Sequence, residues 1–117
     1  MFSVTRVYTD NAGDSQFEDV DIMLHSGGEI GSLSDPLAAK TIIFREVDPG
    51  YDWNFHNAPA RQFIILLDGE IEIETSLGAK RIFTGGDVLL MEDLTGKGHR
   101  TKNIQQKKRK SIFITLP

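Results

Sequence analysis

Two stretches hold the residues whose types could do chemistry. Gly50 to Gly69, GYDWNFHNAPARQFIILLDG, carries His56 and Gln62 beside a strongly strand-forming run. Gly86 to Asn103, GDVLLMEDLTGKGHRTKN, carries a second imidazole, His99, preceded by Glu92, Asp93 and Lys97. A carboxylate close to an imidazole makes an acid/base pair. The plainer alternative is a solvated loop in which Lys and Asp pair with each other. Gln62 offers an amide that can orient His56 by a hydrogen bond. Arg61, next to Gln62 on one strand, should point to the opposite face. Trp53, Phe55 and Phe63 supply either an aromatic wall for a ligand or part of the core. His25 precedes a Gly-rich loop and reads as a surface or mouth residue. There is no Ser-His-Asp order, phosphate loop or dinucleotide fingerprint.

The elements that must position these residues read as short strands. Phe2 to Tyr8 alternates, and Asp10 to Asp14 turns. Phe17 to Leu24 and Lys40 to Val47 read as further strands, separated by a loop rich in Gly and Ser over residues 26–34. Asp48-Pro49-Gly50 ends the second of them by turn chemistry. QFIILL, residues 62–67, is nearly all apolar, which predicts a strand buried on both faces. Asp68-Gly69 is a strong hairpin signal, and Glu70 to Glu74 then alternates acid out, isoleucine in. Strands over residues 80–83 and 88–91 follow. Residues 99–104 and 111–116 are expected to form a last hairpin with a basic tip. No window longer than about ten residues shows helical periodicity. Many short strands with Gly-rich turns indicate an antiparallel sandwich or barrel.

With 117 residues, the chain is expected to be one domain, 1–117, able to bury a real core. Its hydrophobic share of 39% and charged share of 26% are those of an ordinary globular protein. No window approaches the ~18 apolar residues of a membrane span. MFSVTRVYTD does not read as a secretory signal. There is no cysteine, hence no disulfide, thiol nucleophile or thiolate metal site. A cytoplasmic location without membrane partners is the expectation. The net charge of −4 is uneven: residues 1–60 carry ten acids and three bases, residues 61–117 seven acids and ten bases. Seven of those bases fall between Lys97 and Lys110. With no nucleic-acid motif beside them, they read as a solvated hairpin end rather than a nucleic-acid surface.

The two segments resemble the paired motifs of the cupin superfamily. From Gly50 the first motif keeps its spacing through His56, Ala58, Gln62 and Gly69, but Ala58 stands where a second His belongs and Gln62 where a Glu belongs. From Gly86 the second motif ends at its expected spacing in Gly96, His99 and Asn103. Glu92 takes its proline position, and two extra residues precede Gly96. The chain is also similar to small uncharacterised bacterial cupins carrying HPAPRRQ-like and EDTTGKGH-like segments, here HNAPARQ and EDLTGKGH. The resemblance implies an all-β, cupin-type jelly-roll barrel of antiparallel strands. It also implies an interior cavity lined by His56, Gln62 and His99, with Trp53 and Phe63 the expected aromatic contributors to its wall. Cupins hold a divalent metal with three His and one Glu. This chain retains His56 and His99, with Gln62 as a neutral third donor, so any Zn, Fe, Ni or Mn should be held weakly and at low occupancy.

Three readings follow. The cavity binds a small polar or carboxylated molecule; or His56, Gln62 and His99 serve a metal-dependent dioxygenase or isomerase; or the cavity is vestigial in an accessory protein. Cupins commonly pair as homodimers through N-terminal strands. Residues 1–8, an alternating strand set off by a polar turn, are the expected edge for such pairing. The alternative is that they pair within their own chain.

Overall fold

The computed structural model describes residues 2–117, and these contain no α-helix. In chain order the strands are β1 (Phe2–Thr9), β2 (Ser15–Ile22), β3 (His25–Ser26), β4 (Ser32–Leu33), β5 (Thr41–Val47) and β6 (Asp52–His56). They continue as β7 (Gln62–Leu66), β8 (Glu70–Thr75), β9 (Lys80–Thr84), β10 (Val88–Glu92), β11 (His99–Asn103) and β12 (Arg109–Thr115). A single 3-10 turn, Gly28–Ile30, interrupts the loop between β3 and β4.

The pairing pattern defines the fold. β5 pairs with β12, β6 with β11, β7 with β10 and β8 with β9, all antiparallel. A long hairpin, out through β5–β8 and back through β9–β12, gives this pattern when it rolls up on itself; that is the jelly roll. Rolling distributes the strands into two sheets, ordered β2-β1-β10-β7-β12-β5 and β6-β11-β8-β9. The sheets face each other as a sandwich and are not joined into a closed ring of hydrogen bonds. β8 shows why the layers meet: Ile71 and Ile73 are buried while Glu70, Glu72 and Glu74 on the other face are not. Val7, Leu66, Phe83, Leu89 and Met91 complete the core from the other strands. Burying each such side chain stabilises the fold by about 1.5–3 kcal/mol.

Three expectations are corrected. Residues 2–8 are not an edge, and residue 1 lies outside the described residues: β1 lies between β2, antiparallel, and β10, parallel. Val7 fills the core, and Val4 shares an outer groove with Leu33 and Leu37. β7 is not buried on both faces. Gln62 and Leu66 are buried, but Phe63 and Ile65 face the outer groove, where Leu33 of β4 and Leu37 cover them only in part. Finally, β11 and β12 do not form a hairpin. β11 pairs with β6 and β8, β12 with β5 and β7, so residues 104–108 cross from one sheet to the other. Period-two alternation cannot distinguish a hairpin return from a crossover.

The bases leading into and along β11 are paired across strands. Arg100 makes a two-pronged bond with Asp52, Lys97 reaches Asp14 at 3.0 Å and Lys102 reaches Glu72 at 3.6 Å. Glu92, at the end of β10, binds Arg6 at 2.5 Å and also Arg61. Burial works against the Glu92 charge, but Arg61 and then Arg6 hold its carboxyl below the usual carboxylate range. Arg61 and Glu92 thus form an outer ion cluster.

Candidate functional site

The register of β6 and β11 places His99 directly opposite His56. Their ring centroids lie 4.5 Å apart with planes at 57°. Gly98 permits this approach. Its φ of +77° suits glycine, and a Cβ at that position would overlap the His56 carbonyl oxygen. The loop before His99 is fastened to the residues after His56. Asn57 Nδ2 donates to the Thr95 and Gly96 carbonyls at 3.0 and 3.2 Å, and the Ala58 N–H donates to the Asp93 carbonyl at 3.1 Å.

Each imidazole is held through Nδ1. His56 Nδ1–H donates to the Asn54 carbonyl at 2.7 Å, and His99 Nδ1–H donates to Asp93 Oδ2 at 2.6 Å. Both bonds put the proton on Nδ1 in the neutral ring and leave Nε2 as an acceptor. Trp53 stacks on His56 with centroids 3.5 Å apart and planes within 9°, although the indole is 48% exposed. Burial, reinforced by His99 nearby, pushes the His56 imidazole below the ordinary His range against the pull of the Asn54 bond. His56 is therefore neutral at pH 7.

Asp93 is fully buried and anchors the site from beneath. Besides His99, its Oδ2 accepts from Ser15 Oγ at 2.8 Å. The chain continues outward: Ser76 Oγ accepts from the Ser15 N–H at 3.1 Å and donates to Asp14 Oδ1 at 2.9 Å. Asp93 Oδ1 has no partner among the described residues. Of the acids ahead of His99, Asp93 alone bonds it. Glu92 faces the outer ion cluster, and Lys97 binds Asp14 rather than Asp93. Ser15 could not have been singled out by sequence, since it lies 78 residues from Asp93.

A cavity of about 60 Å³ lies between the sheets, with room for a few water-sized groups. His56, His99, Gln62 and Trp53 line it, and Ala58 contributes a methyl. Phe63 does not: alternation along β7 turns Gln62 and Ile64 inward and sends Phe63 to the outer groove. Ile64, Ile71, Leu89 and Phe113 form apolar walls. Gln62 is buried but does not orient His56, whose Nδ1 bonds Asn54 instead.

Sequence reasoning missed the opposite end. Arg45 lines the cavity from β5, where its register partner Ser111 lies opposite Leu66, four residues along β7 from Gln62. Arg45 Nε donates to Ser111 Oγ at 3.0 Å, and its guanidinium lies 4.4 Å from the Phe113 ring centre. Behind it Arg109, 1% exposed, donates from Nε to Asn103 Oδ1 at 2.6 Å. Its Nη1 and Nη2 have no partner among the described residues. Tyr51 has Arg45 and Arg109 over its ring at 5.5 and 5.2 Å. Burial, and then Arg45, push the Arg109 guanidinium down to about 10, so Arg109 remains cationic at neutral pH. Among the described residues neither has a carboxylate within ion-pair distance. In sequence Arg45 looks like a polar residue on an exposed strand, and Arg109 like one more base in a basic run.

The donor set does not fit a four-ligand metal centre. Two imidazoles are present, Ala58 supplies no donor and Gln62 brings only a neutral amide. No three His, Cys, Asp or Glu side chains cluster among the described residues. Asp93 is spent on His99 and Ser15.

Fold and site together define a jelly-roll protein with a small cavity bounded by two imidazoles at one end and a guanidinium at the other. No family model matches the chain, and no curated protein matches it significantly. Among solved structures it is similar to a protein named ethanolamine utilization protein Q from Salmonella typhimurium LT2. The two are 15% identical with a TM-score of 0.45, over 100% of this chain and 97% of that one. Nothing about a ligand follows at that distance.

Proposed function

We propose that this chain is a cupin-like binding module that takes a small carboxylated molecule into the cavity without a metal. The observation that carries this is Arg45: a half-buried, cavity-lining guanidinium with no carboxylate within ion-pair distance among the described residues, backed by the buried Arg109, whose Nη1 and Nη2 have no partner among them. A buried cation without a counter-charge is costly, and a ligand carboxylate would offset that cost. Arg45 would bind the carboxylate, with Arg109 adding field from behind. At the other end the Nε2 acceptors of His56 and His99 would take a hydroxyl or N–H of the ligand, and Gln62 either kind of group. The apolar walls between would hold a short carbon chain, and a cavity this small admits only a few heavy atoms.

The metal-dependent reading, with His56, Gln62 and His99 as ligands, draws support from one feature: metal-binding imidazoles also have their second nitrogen held by a carbonyl or carboxylate. Thermal-shift measurements on protein purified without a His-tag separate the readings. Short hydroxy- and dicarboxylates should raise Tm with or without chelator, and Arg45→Gln should abolish the shift. A rise with Zn, Ni or Mn alone, unaffected by Arg45→Gln, would overturn the carboxylate reading in favour of the metal. No response to either would leave the cavity vestigial.

A further inference from the structure

β5 closes one side of the six-stranded sheet, so among the described residues one of its two edges has no neighbouring strand. Free edges are normally shortened, charged, bulged or covered. This one is seven residues long with a regular register, and apolar in the middle on both faces. Ile42 is 57% exposed, Ile43 46% and Phe44 75%. The other edge, β2, carries Glu18, Asp19 and Asp21, the charged residues that discourage pairing. The two edges of one sheet are thus built differently, and the centre of the β5 edge carries no charge.

We propose that a second copy of this chain covers it, β5 against β5, antiparallel about a two-fold axis at Ile43. Residues facing each other across an antiparallel pair share a face, so a two-fold pairing must place one residue opposite itself. Centring on Ile43 sets Ile42 opposite the partner's Phe44, Thr41 opposite the partner's Arg45, and Lys40 opposite the partner's Glu46. Apolar meets apolar in the centre, and opposite charges meet at both ends. Centring one residue later, on Phe44, sets Glu46 against the partner's Ile42 and Arg45 against the partner's Ile43, burying charges against apolar groups. The residue pattern therefore selects one register. Glu46 is free enough to take part: its own-chain contact, Lys108, is 3.8 Å away and both side chains are more than half exposed. Two six-stranded sheets would become one sheet of twelve, continuous across the axis. This places a homodimer contact at residues 40–46 instead of residues 1–8.

Sedimentation equilibrium on the full chain tests this, with charge reversals that leave each monomer's core untouched. Lys40→Glu alone and Glu46→Lys alone should each weaken the dimer about tenfold, since two cross-strand pairs turn from attractive to repulsive. The double variant should recover wild-type affinity, because each reversed charge again faces its opposite. Phe44→Glu should give monomer, with an unchanged far-ultraviolet circular dichroism spectrum showing that the fold is kept. A wild-type monomer at high micromolar concentration overturns the proposal. So does a dimer insensitive to the single reversals, or one that the double variant does not restore.

Discussion

Replacing Asp93 tests whether the imidazole site rests on one buried carboxylate. In Asp93→Ala, His99 Nδ1–H and Ser15 Oγ lose their shared acceptor at 2.6 and 2.8 Å. His99 and Ser15 are themselves buried, so water cannot readily replace it. Each buried donor left unpaired costs about 1–3 kcal/mol, and the small void adds about 1 kcal/mol. Against this, the substitution also removes Oδ1, which has no partner among the described residues. Two lost bonds and a void, less one relieved orphan, leave a net destabilisation of about 3 kcal/mol. Urea denaturation monitored by Trp53 fluorescence would read this as a lower midpoint at unchanged slope. Calorimetry should show Tm lower by about 10 °C. Asp93→Asn should fall between: the amide oxygen keeps one acceptor, but its N–H₂ has no acceptor to meet. Lys97→Ala is the control, because its partner Asp14 is reached from a largely exposed ammonium; it should cost no more than about 1 kcal/mol. If Asp93→Ala costs no more than Lys97→Ala, the buried carboxylate does not hold the site, and the loop before His99 is merely a surface loop.

Gly98→Ala should destabilise by at least about 2 kcal/mol, because the residue needs positive φ and its Cβ would meet the His56 carbonyl; a melting curve like wild type would refute this account of how the imidazoles are brought together. Burial holds the His56 value below the ordinary 6.5. Its contribution is therefore complete above about pH 6.5 and is lost as pH falls through the lowered folded value. Stability measured from pH 8 to pH 5 should decline below about pH 6.5, and His56→Gln should flatten that part of the curve.

Most strands, though not β3, β4 or the β6 that carries His56, and the places where chemistry could sit were legible in the sequence alone. Alternation over residues 70–74, the Asp-Gly turn at 68–69 and the glycine spacing are local facts. Local rules of side-chain period and turn geometry suffice to read them. The spacing of His56 and His99 within two separate segments was also legible, because each segment carries its own turn and strand. What the tertiary structure decided is everything that depends on which strands become neighbours. Rolling the hairpin put β1 inside the sheet, separated β11 from β12, turned Phe63 outward and joined Ser15 to Asp93. It also brought Arg45 and Arg109 around Tyr51, although they lie 64 residues apart in the chain. Alternation says that a residue faces one side of its strand. Only the packing of the second sheet says whether that side is solvent, core or cavity, and so whether an arginine is a surface charge or a ligand's partner.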